Sequence, residues 1–328
     1  MSFVSKEIVA GDDLLAGATL MQGHLKIIAA VKTDRTGNVY DAVNNNGIRV
    51  HIKECFPDSY CKRIGTRVTL SSPRYSSDFR DAQKKLSHEA RTLAKFDHKN
   101  IVGIHNIFEE NGTTYGVFDR VSGTSLRQMI AKGRLTPEEL SKIGEDLLHA
   151  VGYMHDQGIL HGSITPDTVL ITDELKPVLT EFATASDLVS KDTLSFSMPK
   201  VSDGFSPQEF YVAGGQTGRH SDLYMLAASL YFGLTGKTPP SAQTRLTAIS
   251  RQTADPYVAL ESSQYAPSKD FAKALDLAMQ SNPRQRMSDV EQWLKMIVPG
   301  RANAPVEHQP FAHSHSPKGT GIYRSPDH

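Results

Sequence analysis

Between residues 121 and 136 the period of the hydrophobic pattern changes, and that change leaves few architectures open to the chain. From residue 24 to 121, short β-branched runs such as HLKIIAAV, GNVYDAV and IRVHIKE are broken by turn residues, which predicts strands. NIFEENGTTYGVF places Asn111-Gly112 between two such runs, a hairpin signal. One segment interrupts the strands. In SDFRDAQKKLSHEARTLAKF, Phe79, Ala82, Leu86, Ala90 and Leu93 recur at helical spacing and define a buried face. After Gly123 the pattern is helical. TPEELSKIGEDLLHAVGYMHDQG opens with Thr136, Pro137 and Glu139, a capping box with proline at its first turn. It buries Leu140, Ile143, Leu147, Val151 and Met154 and stops at Gly158. TVLI and PVLTEF, joined by TDELK, read as a small hairpin, and SDLYMLAASLYFGLTG, SKDFAKALDLAMQ and MSDVEQWLKMI as helices. The order predicts an α+β chain: an extension over residues 1–20, a domain over 21–298, and a tail over 299–328. The domain divides into a β-rich lobe to residue 120 holding one helix, and a mainly helical lobe from residue 121.

Of the 328 residues 39% are hydrophobic, enough for a sizeable core, and no internal repeat occurs. Lys+Arg and Asp+Glu both number 36, so no global field draws nucleic acid or anionic lipid to the protein. The longest apolar run, LYMLAASLYFG over 223–233, is too short to span a bilayer and reads as a buried helix. The N-terminus lacks a basic-apolar-small signal pattern. A cytoplasmic protein with no membrane insertion and no nucleic-acid partner is expected. Cys55 and Cys61, with no further cysteine beside them, are expected to be free thiols. The tail RANAPVEHQPFAHSHSPKGTGIYRSPDH is rich in Pro, His and Ser and is expected to be disordered, its histidines solvated rather than metal-bound.

Two ionisable residues stand out. Glu89 shares the apolar face of the first helix, and a carboxylate there needs a cationic or hydrogen-bonding partner. Lys53, in the strand RVHIK, is the candidate.

Taken in order, these segments resemble a protein kinase over roughly 21–298, and KECFP and NGTTYGVF resemble a bacterial branch of Ser/Thr kinases. IRVHIKE resembles the strand of the nucleotide lysine, which puts Lys53 in that place, and HEARTLAKF resembles the helix of its glutamate partner, Glu89. GVFDRVSGTSL is similar to the hinge. HGSITPDTVLI lies on the catalytic loop H-R-D-L-K-P-x-N-I-L, and TEFATA on the metal-binding D-F-G with its flanks. GFSPQE, SDLYML and NPRQRMS resemble the scaffold that carries Glu209, Asp222 and Arg286. Two-lobed kinase architecture is therefore the expectation. The resemblance implies Lys53 and Glu89 as nucleotide-binding residues, Glu181 as a metal ligand, and ATP with Mg²⁺ or Mn²⁺ as the ligand of such a fold.

The chemistry of the family is largely missing. His161 and Pro166 keep their places, but Gly162 replaces the arginine, Ser163 the catalytic aspartate, Thr165 the lysine and Thr168 the metal-binding asparagine. Glu181 replaces the metal-binding aspartate and Ala183 the following glycine. KTDRTGNV lies where G-x-G-x-x-G-x-V belongs, with Lys32 and Asp34 in two glycine places and only Gly37 and Val39 retained. Phosphoryl transfer is mostly positioning and charge stabilisation, with kinases a worked template. A serine cannot act as the base, a contribution of roughly 10²–10⁴ in rate. Thr165 brings no cation to the phosphate, and Thr168 offers magnesium only a neutral hydroxyl. Glu181 keeps the charge on a longer side chain. Without Arg at 162, a phosphate in the activation-like segment from Glu181 to Glu209 would lack its usual clamp. The expected function is a pseudokinase: a protein-interaction, allosteric or scaffolding module in bacterial signalling, with an unidentified protein partner and no cofactor requirement. The alternative is a nucleotide-binding enzyme with weak or unconventional nucleotide transfer through Lys53, Glu89 and Glu181, against which the missing glycines weigh.

Overall fold

The computed structural model describes residues 13–33, 37–182, 201–212, 215–261, 265–297 and 323–324. The chain forms two compact units. The first comprises Met1–Lys95, Gly103–Arg120 and Ala312–His328, the second Phe96–Val102 and Val121–Phe311.

The first unit is built on one sheet. Its strands are β1 (Thr19–Leu20), β2 (Leu25–Thr33), β3 (Gly37–Asn44), β4 (Arg49–Cys55), β7 (Ile104–Glu110), β8 (Thr113–Asp119) and β12 (Tyr323–Arg324), in the order β1-β2-β3-β4-β8-β7-β12. All neighbours are antiparallel except β7 and β12. The sheet curls, so that the backbone N–H of Met21, just after β1, donates to the Glu110 carboxylate on β7 at 2.7 Å. The hairpin expected at Asn111-Gly112 joins β7 to β8, both residues having positive φ (52° and 75°), the backbone for which this pair is preferred. Leu14 and Leu20, ahead of residue 21, join Ile27, Tyr40, Ile52, Phe108 and Tyr115 in the core, so part of the N-terminal extension belongs to the sheet. A separate ribbon, β5 (Cys61–Ile64) with β6 (Arg67–Leu70), follows β4. Cys55 and Cys61 are free and buried.

Helix α1 (Ser76–Leu93) buries Phe79, Leu86, Glu89, Ala90 and Leu93, the face the periodicity predicts with its carboxylate included, except that Ala82 is only half-buried. Strand alternation produces a second buried carboxylate. Val50, Ile52 and Glu54 share one face of β4, and all three are buried. Glu54 is fully buried and accepts from the hydroxyls of Tyr40 and Tyr115, both at 2.7 Å, from Asn38 Nδ2 at 3.2 Å and from the Arg63 guanidinium at 2.5 Å. Burial, reinforced by the Glu54 charge, pushes both phenols above the usual tyrosine range. This network bolts β5 to the main sheet through Arg63.

In the second unit the expected TVLI/PVLTEF hairpin is β10 (Val169–Ile171) with β11 (Pro177–Leu179), extended by β9 (Thr124–Ser125). Its helices are α2 (Leu126–Ala131), α3 (Pro137–Asp156), α4 (Arg219–Thr235), α5 (Ala242–Ser250), α6 (Lys269–Ala278) and α7 (Val290–Ile297). The capping box of α3 forms as expected: the Glu139 N–H donates to Thr136 Oγ1 at 3.2 Å and the Thr136 N–H to Glu139 Oε2 at 2.8 Å. Helix α4 is buried from Ser221 to Tyr231 and ends at Gly236 in the left-handed conformation (φ 65°). Among the described residues no helix is long and apolar enough to cross a membrane. The α+β expectation, a β-rich unit with one helix followed by a mainly helical one, matches the structure. The tail expected to be disordered lies outside the described residues, apart from β12.

Candidate functional site

In the first unit, β4 holds Lys53 between Val39 of β3 and Gly116 of β8. Its Nζ donates to Glu89 Oε2 at 2.8 Å. The lysine side chain is 30% exposed and the carboxylate 5%, so the pair has one wet end and one dry one. The expected contact between strand and helix is thus made within this unit. Lys53→Ala leaves a buried carboxylate oxygen without this donor, a cost of about 1–3 kcal/mol. Lys53→Met with Glu89→Leu removes both charges and is expected to regain most of that loss. Denaturant midpoints of the single and double variants measure the difference, and equal midpoints would show that the pair contributes nothing.

Gly37 has a steric role in the sheet. A Cβ there would lie 2.0 Å from the Glu54 carbonyl oxygen, so glycine is what lets β3 approach β4. The Asp34 position and the Lys32 side chain lie outside the described residues, as do Ala183 and the activation-like segment as far as residue 200.

In the second unit the loop His161–Thr168 connects α3 to β10 and is held from α4 by Asp222. The His161 N–H donates to Asp222 Oδ2 at 2.9 Å and the Gly162 N–H to Oδ1 at 2.8 Å, while His155 Nε2 lies 2.8 Å from Oδ2. Gly162 has φ 68°, a backbone that glycine adopts without strain. Glu209, which accepts from Ser221 Oγ at 2.7 Å, pairs with Arg286 at 2.8 Å in a buried site. The three scaffold residues of the second unit therefore make structural contacts rather than carrying plain surface charge.

The loop closes on itself. Thr168 Oγ1 accepts from the Thr165 N–H at 2.9 Å and donates to the Ser163 carbonyl at 2.7 Å. Thr180 donates to the Thr168 carbonyl through both its N–H and its hydroxyl, each at 2.9 Å. Thr165 and Thr168 are buried. Asp167, the loop's remaining carboxylate, pairs outward with Arg127 at 2.8 Å. Glu181 is half-buried with φ 56°. Among the described residues no group of three or more His, Cys, Asp or Glu is placed to hold a metal ion. Of the positions assigned to the metal, Thr168 offers a neutral hydroxyl whose proton goes to the Ser163 carbonyl, and Glu181 offers an anionic oxygen, a set poor in the hard anionic donors that magnesium prefers.

His161 lies buried under Phe182, ring centroids 4.3 Å apart, and its Nδ1 accepts from the Ser163 N–H at 3.2 Å. Burial pulls its pKa down to about 4, against the opposing pull of Asp222 and Glu181. The fold therefore holds a neutral imidazole. The stabilisation from a depressed pKa is full above the unfolded value and lost as pH falls through the window from about 6.5 to 4, up to about 3 kcal/mol. Stability measured across that window is expected to fall more steeply for the native chain than for His161→Phe. Parallel curves would assign the acid loss elsewhere.

Sequence reasoning missed the Glu54 network and the Thr165–Thr168 closure. The first had a readable signal, since Glu54 alternates with Val50 and Ile52 just as Glu89 shares a face with Leu86. The second had none, because hydroxyl pairing depends on the path of the loop.

Comparison with known proteins covers most of these elements, the family model starting after β4 and Lys53. A family model described as "Protein kinase domain" matches residues 60–297. Serine/threonine-protein kinase C of Synechocystis sp. is 28% identical over 251 residues, covering 73% of this chain and 44% of that protein. PrkC of Bacillus subtilis is 32% identical over 158 residues, 48% of this chain and 24% of that protein. The chain thus spans less than half the length of these relatives. The structure of the apo form of PpkA-294 superposes with a TM-score of 0.75 at 26% identity, covering 87% of this chain and 99% of that one. The PknI kinase domain of Mycobacterium tuberculosis, at 20% identity and a TM-score of 0.59 over 86% of this chain and 96% of that one, shares the fold. By the family model and the ordered elements together, the chain belongs to the protein kinase family and is related to bacterial Ser/Thr kinases.

Proposed function

We propose that this chain is a pseudokinase, a kinase fold used as a protein-interaction or allosteric module in bacterial signalling rather than for ordinary phosphotransfer. One observation supports the reading most directly: the side chain at the metal-binding position, Thr168, is a neutral hydroxyl whose proton is committed to the Ser163 carbonyl and which also accepts from the Thr165 N–H, and the base position beside it holds a serine. The scaffold contacts of Asp222, Glu209 and Arg286, by contrast, are intact. Keeping the scaffold while losing the chemistry is what a binding role permits.

The Lys53–Glu89 pair favours a second reading, a module that binds ATP and transfers part of it weakly or in an unconventional way. A thermal-shift titration with ATP, with and without Mg²⁺ or Mn²⁺, separates the two. No shift is the result expected for a pure binding module. A metal-dependent shift supports nucleotide binding, and mass spectrometry of the protein after incubation with ATP then shows whether a nucleotide fragment is transferred.

A further inference from the structure

Strand β7 has β8 on one side and, on the other, only the two residues of β12, paired in parallel with Tyr323 opposite Phe108 and Arg324 opposite Glu109. Over the rest of its length β7 has no outer strand neighbour among the described residues. An open edge of this kind offers backbone donors and acceptors to any extended segment. We propose that the outer edge of β7 is a docking site for an extended peptide and that the chain's own C-terminal segment is its resident occupant. The use of that site rests on the binding-module reading: a partner's strand must displace the tail to reach β7.

Three observations converge on this occupant. The segment is seated on the edge, in register. Within residues 299–328, GIYR is where isoleucine and tyrosine adjoin, the strand-forming residue types, and Pro326 closes the segment off. The charges are complementary as well. Basic Arg324 takes the register position opposite Glu109 of β7, which is exposed, while Glu110 is already engaged by the Met21 N–H. Residues 298–322 tether the segment to the end of α7. Docking of the segment on β7 is therefore intramolecular and does not depend on protein concentration.

The test keeps the full chain and substitutes Tyr323→Pro with Arg324→Pro, which removes two backbone donors without touching the core. Hydrogen exchange across residues 104–110 is expected to speed up by about tenfold in the variant, with an unchanged thermal midpoint. A fluorescent peptide of residues 316–328 is expected to bind the variant at least about tenfold more tightly than the native chain, whose site is already filled. Equal exchange across 104–110 in both proteins overturns the proposal, as does a peptide that binds both alike or neither. Neither readout involves phosphotransfer. An active kinase would therefore end the pseudokinase reading and leave the β7 result standing, while unchanged β7 exchange would do the reverse.

Discussion

The purified 328-residue chain given ATP with Mg²⁺ or Mn²⁺ is expected to show no γ-phosphate transfer above background, and Ser163→Asp alone is expected to leave it so. Restoring the carboxylate returns at most the roughly 10²–10⁴ that a positioned base contributes. It does not rebuild the metal site, where Thr168 still brings only a neutral hydroxyl with its proton on the Ser163 carbonyl. Nor does it return a cation to position 165. Thr168→Asn, the obvious second step, puts a larger side chain into a buried position of the loop, at about 1–3 kcal/mol. Groups that act as a unit are not recovered one at a time. Radiolabel transfer to the protein itself and to a generic substrate measures this. Stoichiometric, metal-dependent transfer that disappears with Lys53→Ala would falsify the pseudokinase reading.

Glu54→Leu is expected to be the most destabilising single change in the β-rich unit. The substitution takes the carboxylate from the Arg63 guanidinium, whose side chain is 3% exposed, and the acceptor from two buried phenols at once. Removing one partner of a buried, hydrogen-bonded pair costs on the order of 3–5 kcal/mol. Glu54→Leu with Arg63→Met is expected to recover a large part of the loss, since no charge is then left buried. The contrast with Lys53→Ala is informative. Those two residues are neighbours on β4, but the lysine keeps a wet end, so its loss costs less. Equilibrium unfolding in urea ranks the variants. A loss below about 1 kcal/mol for Glu54→Leu would place the network among the surface-type pairs that contribute little.

Much of the fold was legible in order and period. The hairpin at Asn111-Gly112 was readable because a tight turn needs left-handed backbone there, and the start of α3 because Thr136 and Glu139 satisfy each other's neighbouring N–H groups. The buried face of α1, with Glu89 on it, followed from spacing alone. These features are local: their partners lie within a few residues, so sequence separation hides nothing. The losses at Gly162, Ser163, Thr165 and Thr168 were equally plain, because the absence of a carboxylate or an amine is a property of the residue and not of its surroundings.

The tertiary structure decided whatever depends on partners distant in sequence. It brought Tyr40, Arg63 and Tyr115 around Glu54, so that a charge which alternation alone would have flagged became the anchor of the sheet. It set the backbone of His161 and Gly162 on Asp222, some sixty residues on. It also turned the Thr168 hydroxyl into the loop and laid Tyr323–Arg324 against the open edge of β7. The sequence by itself determined the order of elements and the loss of chemical groups, because periodicity and side-chain type are local quantities. Which buried charge found a partner, and which hydroxyl was spent on the backbone, depended on where the folded chain carried atoms far apart in sequence to within hydrogen-bonding distance.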